Sequence, residues 1–165
     1  MLRLAPALRD ELHRLAAAGY PREVCGLLLG RSEGEIRTAV RVWPARNAWE
    51  DDPRARAALL AATSPGPTRA EWEAHGEDRR FLIAPEEILA AEREARAAGL
   101  ATIGIYHTHP DHPARPSAFD RQIAFPDVSY LILSVRGGEV VEMRSWFLED
   151  FEAPFQEEAV VLTDA

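Results

Sequence analysis

The sequence has 165 residues, 47% of them apolar and 28% charged, which is enough apolar content for one folded domain and too much for a disordered chain. A formal net charge of −8 offers no basic surface for a phosphate backbone, and no apolar run reaches bilayer length, so neither nucleic acid nor membrane is an expected partner. A single cysteine, Cys25, excludes an internal disulfide and any multi-cysteine zinc site, and without an apolar signal core at the N-terminus the cytoplasm is the expected compartment.

In chain order, Leu4, Leu8, Leu12 and Leu15 recur at helical spacing, so residues 6–18 read as a helix with Pro6 in its first turn and Gly19 as its stop. Glu23 to Gly30 is a short apolar run that reads as a buried strand, paired through a hairpin at Ser32–Glu35 with a second, alternating strand from Ile36 to Trp43. Residues 48–80 are polar and proline-bearing, with a helical patch at Arg56–Ala62, and are expected to form a surface insertion. Order resumes at Phe81–Ile83 and a helix from Pro85 to Ala98, followed by a strand from Ala101 to Tyr106 that runs into His107-Thr108-His109-Pro110. A proline-rich loop over 110–116 gives way to a short helix beginning at Ser117. Val128–Val135 and Glu139–Phe147 form a strand pair turned at Gly137-Gly138, with one more possible strand at Ala159–Leu162. Strands and helices alternating in this way predict an α/β fold, a single domain over 1–165 with a mixed sheet flanked by helices.

The chemistry concentrates around His107 and His109. Side chains two apart on an extended chain share a face, so both imidazoles project together, and a loop after Pro110 can return Asp120 to the same point. Two imidazoles and one carboxylate suit Zn²⁺, and three protein ligands leave a position for water, as catalytic rather than structural zinc requires. Zinc lowers the pKa of bound water from 15.7 to about 7, but amide hydrolysis still needs a group to carry the proton to the leaving amine. Glu23, at the mouth of the first strand, is the candidate general base. Ser117, one helical turn before Asp120, is the candidate oxyanion donor. Each also has a plainer reading: Ser117 as an N-cap with Asp120 completing a capping box, Glu23 as a solvated turn residue, Cys25 as core. His13 and His75 read as solvent-facing and His112 as loop. A metal site at a sheet edge would favour a substrate bound as an added strand.

Taken together, Glu23 at a strand start, His107-Thr108-His109-Pro110, six residues, then Ser117-Ala118-Phe119-Asp120 resembles the signature of the JAMM (MPN+) metalloprotease family at all five functional positions. The likeness extends through Pro21–Gly30, Ile103–Pro110, Ala114–Asp120 and Pro126–Ser134, and is strongest to small bacterial members that act on ubiquitin-like sulfur-carrier proteins. The resemblance implies a deubiquitinase-like, cytidine-deaminase-related α/β fold. It also implies a Zn²⁺-dependent peptidase or isopeptidase that cuts after a carrier's Gly-Gly tail, releasing cysteine or a conjugated protein. An inactive scaffold of the same family would be expected to have lost one of the five residues. A nucleobase deaminase would need His-x-Glu and Pro-Cys-x-x-Cys, which one cysteine cannot supply.

Overall fold

The computed structural model describes residues 1–62 and 80–163. Its elements in order are β1 (Leu2–Leu4), α1 (Pro6–Gly19), β2 (Cys25–Glu33), β3 (Ile36–Ala45), α2 (Pro53–Ala62) and α3 (Pro85–Ala97). After these come β4 (Ala101–Pro110), α4 (Ala118–Ile123), β5 (Ser129–Arg136), β6 (Glu139–Phe147), β7 (Gln156–Glu158) and β8 (Val160–Leu162). None of the described helices is long and apolar enough to cross a membrane.

The strands form one mixed sheet in the order β7-β6-β5-β4-β2-β3-β1-β8. β2 pairs antiparallel with both β3 and β4, β4 runs parallel to β5, and β6 turns back antiparallel on β5. Gly137 and Gly138, with φ of +58° and +84°, supply the left-handed turn between β5 and β6. The two outermost strands, β7 and β8, are separated by one residue, Ala159, whose carbonyl accepts from the Leu2 N–H at 2.9 Å. The edges of the sheet therefore meet, and the sheet is nearly closed. Glu158 fixes this seam, accepting from Ser145 Oγ at 2.8 Å across β6 and facing the Arg37 guanidinium of β3 at 3.6 Å.

Helices cover both faces. Leu12 and Ala16 of α1 pack with Leu28, Val42, Tyr106, Leu131 and Leu133 on one side. Ala91 and Ala95 of α3 pack with Cys25, Leu27, Leu29, Phe81 and Ile83 on the other. Tyr106 enters the first cluster and Ile105 borders the second, so the alternation of β4 sends His107 and His109 out on the α3 side.

Several boundaries differ from the sequence reading, for local reasons. β2 begins at Cys25, which leaves Glu23 in the turn before it, and β4 continues to Pro110 because its pairing with β5 runs on through Pro110 opposite Val135. The three-residue strands β1 and β7 are too short for a periodic signal. At the head of the 48–80 stretch, Ala48 and Trp49 are buried rather than on the surface, packed with Leu82, Ala84 and Phe119. Residues 63–79 of that stretch, including His75, lie outside the described residues. His13 is half-buried on α1.

The packing between β2, β3 and β4 leaves no room at Gly26. A Cβ there would fall on the Trp43 carbonyl oxygen and on the Tyr106 ring. Gly26→Ala is expected to destabilise the fold by about 1–3 kcal/mol, the usual range for overpacking, read from the urea midpoint. An unchanged midpoint would show that Tyr106 can move aside.

Candidate metal centre

His107, His109 and Asp120 come together, each offering one ligand atom within 4.8 Å of the others. The separations are 3.1 Å between the two Nε2 atoms, 3.2 Å from His107 Nε2 to Asp120 Oδ1 and 3.3 Å from His109 Nε2 to Asp120 Oδ2. A tetrahedral ion with bonds of about 2.0–2.1 Å holds its ligand atoms about 3.3 Å apart, so these spacings fit a zinc-sized ion. All three side chains are buried, His107 completely.

Their presentation is set from several directions. β4 lies inside the sheet, with β2 on one flank and β5 on the other, so the histidine strand cannot shift register without breaking both ladders. The His109 Nδ1 lies 2.9 Å from the Pro113 carbonyl oxygen, which can only accept. The proton therefore sits on Nδ1, and the Nε2 lone pair faces Asp120 and His107. His107 is held by stacking, its ring 4.5 Å from that of Phe81 at an interplanar angle of 22°. The His107 Nδ1 has no hydrogen-bond partner among the described residues. Burial pushes the His107 imidazole below its ordinary pKa, toward the neutral form that a metal requires. Burial alone would raise the Asp120 carboxyl, but its close approach to His107 and His109 outweighs burial and holds the group well below the usual carboxylate range.

The 110–116 loop that returns the chain from His109 to Asp120 is tied down at successive residues. The Asp111 N–H donates to the Val135 carbonyl at 2.8 Å, and Asp111 itself takes a left-handed φ of 58°. The His112 carbonyl accepts from Ser134 Oγ at 2.6 Å, the Pro113 carbonyl takes the His109 proton, and the Ala114 carbonyl accepts from Trp146 Nε1 at 3.0 Å. The Ala114 N–H donates to Glu142 at 3.1 Å. At the end of this loop Ser117 caps α4. Its N–H donates to Asp120 Oδ2 at 2.6 Å, and its Oγ accepts the Asp120 N–H at 3.1 Å. The capping box read from the sequence is present, and the same Asp120 carboxylate faces both imidazoles.

Glu23 and Ser117 line the same cavity as His109, a space of about 360 Å³ that also has Arg80, His112, Pro113 and Arg115 in its walls. Glu23 is only 7% exposed. Its peptide is clamped: the carbonyl accepts from Asn47 Nδ2 at 3.1 Å, and the next N–H, that of Val24, donates to Thr108 Oγ1 at 2.8 Å. Thr108, between the two histidines, thereby ties the Glu23 turn to β4. Asn47 also donates to the Arg80 carbonyl at 2.8 Å and accepts from Trp49 and Leu82, joining three segments at one amide. Sequence reasoning missed Asn47 and Arg80, which carry no local motif. The position of β4 between two strands also removes the open sheet edge that a strand-adding substrate would need there.

The His109 tautomer can be measured independently of any metal. In ¹⁵N NMR of the imidazoles, His109 should appear as the Nδ1–H form at neutral pH. An Nε2–H signal would mean that the Pro113 contact is not a hydrogen bond.

Comparison with known proteins bears on the fold and the family. The chain is 33% identical over 141 residues, 82% of each sequence, to a desampylase from Haloferax volcanii. A solution structure of a Desulfitobacterium hafniense protein superposes with a TM-score of 0.74 at 29% identity, covering 100% of this chain and 94% of that one. The crystal structure of a JAB1/MPN domain protein from Archaeoglobus fulgidus, at 11% identity and a TM-score of 0.51 over 99% and 98% of the chains, shares the fold. With the family of prokaryotic homologs of the JAB domain matched over residues 5–149, the chain belongs to that family.

Proposed function

We propose that this chain is a zinc-dependent peptidase or isopeptidase that hydrolyses the bond after the C-terminal Gly-Gly tail of a ubiquitin-like or sulfur-carrier protein. The observation that carries the reading is the convergence of His107, His109 and Asp120, with Glu23 and Ser117 in the wall of the same cavity. The likeness to a desampylase supports a hydrolase acting on conjugates of ubiquitin-like modifiers. A metal-free scaffold would have no need to bury two imidazoles against a carboxylate, a polar cluster that is costly without a charge to organise it.

His107, His109 and Asp120 would hold the ion, which when bound supplies a Lewis acid to acidify water and polarise the scissile carbonyl. The chain's own groups manage the proton and the developing charge. Glu23 takes a proton from water as its oxygen adds to the carbonyl carbon, and returns it to the nitrogen as the carbon–nitrogen bond breaks. Low exposure and a clamped backbone hold Glu23 in the cavity wall. Ser117 Oγ already accepts from the Asp120 N–H, so its own proton remains to donate to the carbonyl oxygen as that oxygen gains charge. A Gly-Gly tail suits a narrow approach because it has no side chains to clash.

Substitutions separate these roles. His107→Ala and Asp120→Ala should lose zinc and turnover together, whereas Glu23→Gln should keep zinc by elemental analysis and lose turnover. Ser117→Ala should keep zinc and lose about 10²–10³ in rate, with about 1 kcal/mol of stability from the lost cap. Full activity in Glu23→Gln would overturn the assigned proton path.

Substrate choice is tested by mass spectrometry on conjugates of a small carrier ending in Gly-Gly. Cleavage should fall directly after the terminal glycine, stop on addition of a zinc chelator, and disappear when that glycine is made bulky. Casein should be left nearly intact. Rapid casein digestion beside untouched conjugates would point to a general endopeptidase instead.

A further inference from the structure

The two imidazoles are oriented by different means. His109 is turned by a hydrogen bond, its Nδ1 lying 2.9 Å from the Pro113 carbonyl oxygen. His107 has no counterpart, because its buried Nδ1 finds no hydrogen-bond partner among the described residues. A histidine that binds a metal through one nitrogen almost always donates from the other, and that outer contact fixes the orientation of the ring. Rotation of the ring about its bond to Cβ is soft by itself, so another group must set the plane of His107. Phe81 is in position to do so, its ring 4.5 Å from the imidazole at an interplanar angle of 22°.

Phe81 is itself firmly held. It lies outside every helix and strand, yet both of its neighbours are bonded to Asn47 and Ala48. The Arg80 carbonyl accepts from Asn47 Nδ2 at 2.8 Å, and the Leu82 N–H donates to Asn47 Oδ1 at 3.1 Å. The Leu82 carbonyl accepts from the Ala48 N–H at 2.8 Å. The Phe81 side chain is buried and packs with Cys25, Leu27 and Leu29 of β2 and with Ala91 and Ala95 of α3. It also lines an apolar groove of about 340 Å³ beside Leu27, Ile105 and Ile123, so a flexible replacement would have space to turn away from the imidazole.

We infer that Phe81 is a positioning residue for the metal, setting the plane of the His107 ring so that its Nε2 stays directed toward Asp120 and the His109 Nε2. This rests on the zinc reading above and extends it to a residue that offers no ligand atom. A flat ring stacked on another resists its tilting, whereas an aliphatic side chain of similar volume fills the space without choosing a plane. One ligand of the set is thus oriented by a backbone carbonyl and the other by an aromatic face.

The test reads metal binding rather than turnover. Full-length protein is stripped of metal and titrated with zinc against a chromophoric chelator. The comparison takes wild type, Phe81→Leu, Phe81→Tyr and Ile83→Val, the last in the same apolar cluster as Phe81. Phe81→Leu should raise the zinc Kd about tenfold or more, the usual cost of losing an outer support. Phe81→Tyr keeps the flat ring and should restore most of the affinity. Ile83→Val should lower the urea midpoint and leave the zinc Kd unchanged. With cobalt in place of zinc, Phe81→Leu should show visible bands altered in intensity and position from those of wild type. A wild-type Kd in Phe81→Leu, or an equal weakening by Ile83→Val, would overturn the assignment while zinc uptake by wild type upholds the metal reading. Should Phe81→Leu fail to fold, the metal-free wild type decides: the Phe81 ring current should displace the His107 ring protons upfield in the NMR spectrum, and undisplaced protons would overturn the stack. A wild-type protein that takes up no zinc would remove both readings.

Discussion

The Asp120 carboxylate accepts the Ser117 N–H at 2.6 Å with one oxygen and turns both oxygens toward the two imidazoles. Helix start and candidate ligand set are therefore built on one group. A carboxylate buried to this depth is costly unless every lone pair has a donor or a cation before it. The Ser117 N–H meets part of that demand. The rest would fall on a cation held jointly with His107 and His109, and the loop from His109 to Asp120 is pinned carbonyl by carbonyl. Were His109 to lose its Pro113 partner, its proton could move to Nε2, and the lone pair facing Asp120 would vanish.

What the sequence made legible was what is local. His107 and His109 lie two apart, Ser117 and Asp120 three apart, and each spacing fixes a relative direction once strand or helix is assumed. The fold class followed from the alternation of strong elements. The supports of the site were hidden because their partners are distant: Asn47 bonds to the carbonyls of Glu23 and Arg80, and Phe81 stacks on His107. No period or motif links such residues. The head of the 48–80 stretch misled for a related reason, since Trp49 is buried by Phe119, a residue far along the chain. Glu23 sits outside the strand its neighbours form. The edge expected for an added strand was filled by β5, whose pairing no single-strand pattern reveals.

The two faces of the sheet divide the work. On the α1 side, Leu12, Leu28, Tyr106, Leu131 and Leu133 make a continuous apolar layer that anchors β4 from behind. On the other side the apolar layer gives way, from Ile105 onward, to His107 and His109. The imidazoles thus stand on a strand whose rear face is committed to the core and whose flanks are both bonded. Rigidity of this kind lets a few polar groups hold a fixed geometry, because no rearrangement is required of them when charge develops.

The seam at Ala159 has a consequence for how the molecule is made. β7 and β8 are the last strands in chain order, and they supply the partners for β6 on one border and β1 on the other. Until residues 156–162 leave the ribosome, both borders carry unpaired N–H and C=O groups able to template strands of other nascent chains. His107, His109 and Asp120 are all synthesised by residue 120, and the strand that flanks β4 by 136. Synthesis thus delivers the residues of the candidate centre well before the two strands that cover the borders of the sheet.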